Sequence, residues 1–164
     1  MKRKSLDSPP LDLVIVSGGQ TGVDRSALDA AIAAGIPHGG LCPRGRLAED
    51  GRIPDRYQLA ETASPLYRVR TEQNILLSDA TLILARGRLT GGTRLTRDLA
   101  RKHHKPCLVV NLGRPPTSES IRHWLTENAI AKLNVAGPRE SQSPGIGGDA
   151  REFLLGVLGG LERG

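Results

Sequence analysis

Aromatic residues are nearly missing from this chain: Tyr57, Tyr67, Trp124 and Phe153 are all it has, and they are scattered. A surface that stacks the bases of single-stranded nucleic acid needs several aromatics in one place, so nucleic acid is not an expected partner. Cysteine is scarce too. Cys42 and Cys107 lie far apart and form no CxxC or other metal-ligand spacing, so no metal site is expected from them. Cys107 falls inside the apolar run Cys107–Val110 and is expected to be a buried strand residue. No apolar run approaches the length of a membrane span. Met1–Pro10 has no apolar core of the kind a signal peptide carries. The expectation is a cytoplasmic protein without a membrane partner.

What the chain does contain suits one globular domain. Its 164 residues are 38% hydrophobic and 24% charged, enough to bury a core. The formal net charge is +6, half of it in Lys2, Arg3 and Lys4. These belong to an expected flexible basic tail over residues 1–10, ahead of a single ligand-binding domain over residues 11–164. The remaining excess is modest. An anionic small molecule in a basic pocket accounts for it as well as a nucleic-acid patch does.

Strand-like and helix-like segments alternate from end to end. Leu11–Val16 is a short apolar run stopped by Ser17-Gly18-Gly19, as a buried strand is. Thr21–Ala34 has helical spacing, with Thr21 and Asp24 placed as a capping box and Gly35 as the stop. Short strands are expected at Ile36–His38 and Tyr57–Ala60, on either side of a turn-rich stretch. A helix opens at Ser64-Pro65, with proline at its first position. Then come a strand at Ala80–Leu84, a helix at Thr93–Lys102 and a strand at Pro106–Asn111. A helix at Thr117–Asn128, a strand at Leu133–Ala136 and a helix at Asp149–Leu161 close the series. The alternation predicts an α/β, Rossmann-like, doubly wound and mostly parallel sheet in a three-layer α/β/α arrangement. With strand order 3-2-1-4-5-6, the first and fourth strands are neighbours, and the turns that follow them face one crevice.

Those two turns carry the chemistry. In the first, Gly18, Gly19, Gln20, Thr21, Gly22, Asp24 and Arg25 sit between a strand and a helix. Glycine lets the backbone approach a ligand, and the helix start offers free N–H groups and the positive end of its dipole, so an anion is the natural guest. The pattern is not GxGxxG, and no GK[ST] follows, which excludes a Walker A loop. No acidic residue follows the second strand to hold an adenosine ribose, so a standard NAD site is not expected. Arg86, Thr90, Gly91, Gly92 and Thr93 occupy the equivalent place after the fourth strand, with hydroxyls and a guanidinium suited to phosphate. Arg44 and Gly45 after the second strand, and Gly137 and Arg139 after the sixth, are candidates to rim the same crevice, with solvated loops as the plain alternative. The histidines form no recognisable catalytic arrangement. His103 and His104 end a helix, where a cation complements the dipole.

The motifs together resemble one known family. Ser17–Arg25 (SGGQTGVDR), Cys42–Gly51 (CPRGRLAEDG), Asp79–Leu84 (DATLIL), Leu89–Thr93 (LTGGT) and Asn134–Ser141 (NVAGPRES) are similar, in this order, to the "putative molybdenum cofactor carrier" proteins, over roughly residues 12 to 158. The resemblance implies a Rossmann-like fold that binds molybdenum cofactor, a phosphate-bearing pterin, as an oligomeric carrier or store without catalysis. It implies molybdoenzymes or cofactor-biosynthesis proteins as partners. Related phosphoribohydrolases carry a Pro-Gly-Gly-x-Gly-Thr turn followed by a catalytic glutamate. Here Thr90–Thr93 is followed by Arg94, Leu95, Thr96 and Arg97, which lack that glutamate. A hydrolase or transferase acting on a nucleotide-like phosphate, and a nucleotide-sensing module, remain the alternatives.

Overall fold

A computed structural model describes residues 12–159. The basic tail expected over residues 1–10 lies outside them, as do Leu11 of the first strand and Leu161 of the last helix. In chain order the elements are β1 (Val14–Val16), α1 (Val23–Ala34), β2 (His38–Gly39), β3 (Leu41–Cys42), β4 (Leu47–Ala48), β5 (Gly51–Arg52), β6 (Ala60–Glu61), α2 (Tyr67–Leu77), β7 (Ala80–Ala85), α3 (Gly91–Lys102), β8 (Cys107–Asn111), α4 (Ser118–Glu127), β9 (Lys132–Ala136) and α5 (Ile146–Leu158).

The main sheet is parallel throughout, in the order β2-β1-β9-β7-β8. Side chains alternate across it. Ile15, Leu82, Leu84, Leu133 and Val135 point into one core with Val23, Ala27, Ile121, Leu125, Ile146 and Leu154 from α1, α4 and α5. On the other side, Ile75 of α2 packs with Leu99 and Ala100 of α3. β7 is buried along its whole length, which its uninterrupted run of Ala, Thr, Leu and Ile residues permits. The α/β, Rossmann-like, parallel architecture is the one the alternation predicts.

The order of strands is not. The last strand, β9, lies between β1 and β7, so the expected first and fourth strands are not neighbours. Counted from β9 instead, the sheet reads 3-2-1-4-5, the order of a doubly wound fold. The chain is a rotated version of that fold, with the strand that would open it placed last. The expected third strand is also absent from the main sheet. β6 starts at Ala60 and pairs with β3 in a separate two-stranded sheet, and β4 and β5 form a small antiparallel hairpin.

Local starts differ as well. α1 begins after Gly22, and the capping box does not form, because the Thr21 hydroxyl bonds Glu49 and the Asp24 carboxylate takes the Gln20 N–H. Pro65 lies outside α2, which opens at Tyr67 after Leu66. α5 begins at Ile146, one helical turn earlier than the spacing suggests. Gly35 does end α1 in the left-handed conformation, and the Thr117 Oγ1 caps α4 by accepting the Ser120 N–H at 3.2 Å.

Candidate functional site

Three strand-to-helix turns meet above the carboxyl ends of β1, β9 and β7 and line one cleft. The turn after β1 contributes Gly18, Gln20 and Asp24, the turn after β9 contributes Gly137, Arg139 and Gln142, and the start of α3 contributes Gly92, Thr93 and Thr96. Because β9 is central, its turn sits between the other two. A Cβ on Gly137 would lie 2.2 Å from the Leu84 carbonyl oxygen, so only glycine lets this turn settle against β7.

The fourth wall is α2, which brings Tyr67, Arg68, Arg70, Thr71 and Asn74. Arg70 is buried, and its Nη1 donates to the Gly18 carbonyl at 2.7 Å and stands 3.7 Å from Asp24 Oδ2. A Cβ on Gly18 would collide with that guanidinium at 2.3 Å. The guanidinium groups of Arg70 and Arg139 approach the Tyr67 ring at 5.5 and 5.3 Å, within the range of cation–π attraction. Asn74 is structural, since its amide bonds both backbone groups of Leu41.

Two polar groups in the first turn are held under constraint. The Gln20 Oε1 accepts the N–H groups of Thr21 at 3.0 Å and Glu49 at 2.9 Å, while its buried Nε2 has no partner among the described residues. Burial pushes the Asp24 carboxyl up to about 6, against the pull of Arg70, the Gln20 N–H, Arg25 and Arg139.

A strap joins two of these turns. The tip of the β4–β5 hairpin presents Glu49 and Asp50. Glu49 accepts from the Thr21 hydroxyl, from the Ser141 hydroxyl at 2.5 Å and from the Ser141 N–H at 3.2 Å. It also lies 3.9 Å from Arg139. The Ser141 and Thr21 hydroxyls hold its carboxyl below the usual range. Asp50 pairs with Arg25, whose Nη2 also reaches the Gly19 carbonyl at 3.2 Å. One hairpin thus ties the turn after β1 to the turn after β9.

Of the residues singled out in the sequence, Gly18, Gln20, Asp24, Gly92, Thr93, Gly137 and Arg139 line the cleft. Thr21 and Arg25 are engaged by the strap instead. Gly19, at φ 79°, and Gly22, at φ 77°, shape the backbone beneath. Thr90 is the residue before α3, and Gly91, at φ 51°, opens the helix. Neither lines the cleft. Arg86 is committed elsewhere: it pairs with Asp149 and donates to Ser143 Oγ and the Pro144 carbonyl at 3.2 and 3.0 Å, holding the start of α5. Arg44 is exposed, and Gly45 donates its N–H to Glu61 at 2.6 Å, so neither belongs to the cleft. Their neighbour Arg46 turns inward, where it donates to the carbonyls of Ile53, Pro54, Tyr57 and Leu59 at 2.9–3.1 Å. His38 accepts the Gln58 N–H at 3.2 Å and is structural. Cys107 is half-buried on the edge strand β8 rather than enclosed. The α2 residues were not among the candidates.

Fold and cleft together define a Rossmann-like α/β protein, with its candidate site at the switch point of a rotated sheet. The chain belongs to the circularly permutated YpsA SLOG family, whose model matches residues 15–158. It is similar to a crystal structure from Syntrophus aciditrophicus SB described as a "putative molybdenum carrier protein", at 45% identity and a TM-score of 0.87, over 94% of this chain and 99% of that one. No curated protein matches it. Among the described residues no helix is long and apolar enough to cross a membrane.

Proposed function

We propose that this protein binds a phosphate-bearing pterin, molybdenum cofactor, as cargo in the cleft above β1, β9 and β7. The observation that carries the reading is the convergence of two glycine turns and the start of α3 on Arg70 and Arg139. Backbone N–H groups at a helix start and guanidinium groups are the donors that phosphate and oxo groups require. The similarity to a structure described as a molybdenum carrier supports the choice of ligand.

The test is direct. Protein purified from a host that makes the cofactor is expected to carry near-stoichiometric molybdenum and a pterin detectable by mass spectrometry. It should hand that pterin intact to an apo-molybdoenzyme. Protein that carries neither after purification from such a host refutes the reading. A second reading, hydrolysis of a nucleotide-like phosphate, is favoured by one observation, the buried Asp24 carboxyl inside the cleft. Asp98, the first acidic residue after the Thr90–Thr93 turn, does not add to it, because it is exposed and engages Arg94 and Arg97.

A further inference from the structure

Gln20, in the turn before α1, and Asp24, in the first turn of α1, both line the cleft, and each has hydrogen-bonding capacity left over. The Gln20 amide is oriented by its two accepted bonds, since only the oxygen can receive the N–H groups of Thr21 and Glu49. Its Nε2 therefore points a donor pair elsewhere, in a residue that lines the cleft and is only 6% exposed, and it meets no acceptor among the described residues. A buried N–H pair left unmet is costly, and a ligand acceptor removes that cost. Asp24 spends Oδ2 on the Gln20 N–H at 3.4 Å and on Arg70 at 3.7 Å. Among the described residues nothing donates to its Oδ1. The cleft thus offers a donor beside an acceptor.

We infer that Gln20 and Asp24 read the edge of a ring that carries a carbonyl next to an N–H and an amine, the 2-amino-4-oxopyrimidine edge shared by pterins and guanine. The Gln20 Nε2 donates to the ring carbonyl, and the Asp24 carboxylate accepts from the ring N–H and the amine. Adenine presents the reverse pattern, an amine toward Gln20 and a bare ring nitrogen toward Asp24, and is refused by two like-with-like contacts. The inference rests on the reading that the cleft takes a phosphate-bearing ring. It adds which ring edge is recognised and by which residues. Asp24 reads donors only as the carboxylate, and Arg70, Arg25 and Arg139 are the charged groups around it. Selectivity for this edge is accordingly expected to fade as the pH drops below 6.

Calorimetric titration at pH 7.5 with four probes tests this: neopterin monophosphate, GMP, AMP and XMP. Neopterin monophosphate or GMP is expected to bind at least about tenfold more tightly than AMP, about 1.4 kcal/mol. The tighter of the first two tells pterin from nucleotide. Gln20→Glu keeps both accepted bonds and loses the donor, so the advantage over AMP should fall about tenfold. Asp24→Asn turns one acceptor into a donor and should move the preference from GMP to XMP, whose second carbonyl replaces the amine. A misfolded variant cannot produce that gain. Equal affinity for GMP, neopterin monophosphate and AMP, or an Asp24→Asn variant with unchanged preference, overturns the edge reading and leaves phosphate binding standing. Failure of all four to bind overturns both.

Discussion

A carboxylate enclosed by protein keeps its charge easily only when enough donors face it, and Asp24 has one long N–H bond and one guanidinium 3.7 Å away. Burial wins, and the folded group titrates near 6 instead of the ordinary 3.8. A raised value means that the folded state holds a proton the unfolded state has lost, between about pH 4 and 6. The stability it contributes is therefore full below that window and declines as the pH rises through it. At neutral pH the ionised Asp24 is a net cost to the unliganded protein. Asp24→Asn, neutral at every pH, is expected to raise stability at pH 7.5 by about 1–3 kcal/mol. Thermal or urea melts at pH 7.5 and pH 4 check the sign, and the gain should vanish at the lower pH. A variant destabilised equally at both would show that Asp24 serves the fold. In the sequence Asp24 reads as a helix-capping acid and as one more polar residue of the first glycine turn; nothing local reveals that Arg70, on another helix, closes over it.

The elements differ in how openly they announce themselves. The turns after β1 and β7 are legible because glycine, hydroxyl and arginine are packed into a few consecutive residues at a strand's end. α2 is not legible as part of the site. Tyr67, Arg70, Thr71 and Asn74 recur at three- and four-residue spacing, as on the inner face of any half-buried helix. An arginine there reads as a solvated side chain. The hairpin strap is hidden for the same reason, since Glu49 and Asp50 are acidic residues in a polar turn until the fold brings Thr21, Arg25 and Ser141 to them. α3 offers the cleanest probe of the cleft. A Cβ on Gly92 meets nothing within 4 Å, whereas one on Gly19 runs into Leu59 at 2.7 Å at a backbone angle that side chains rarely adopt. Gly92→Val should fold with stability within about 0.5 kcal/mol of the parent and lose ligand affinity at least about tenfold. Gly19→Val should lose the fold along with the ligand. Melting curves beside the titrations separate the two outcomes, and undiminished binding by Gly92→Val would remove α3 from the site.

At the scale of the whole molecule, the sequence makes each main-sheet strand visible but not its neighbours. Leu133–Ala136 looks like one more strand at the end of a series, and a series is naturally read outward from its first member. Pairing is decided instead by which strands are buried on both faces, and β9, with Leu133, Asn134 and Val135 all buried, belongs in the middle. A chain opened between Asn128 and Ile130 and closed by a flexible linker between α5 and β1 should therefore rebuild the same sheet. In that order β9, α5 and β1 form an ordinary strand–helix–strand unit with neighbouring parallel strands. Circular dichroism, melting and ligand titration of the permutant check this, and a permutant that fails to fold would show that the connectivity itself is required. The central place of β9 also has a consequence in time. A ribosome delivers β1, β2, β7 and β8 first, as two strand pairs with no shared edge. At about 5–20 residues per second, those edges wait, unpaired and open to other chains, until β9 emerges. A stall or truncation just before Lys132 should leave a nascent chain that is not a smaller version of the protein but two sticky fragments, and the cleft comes into being only with the last strand.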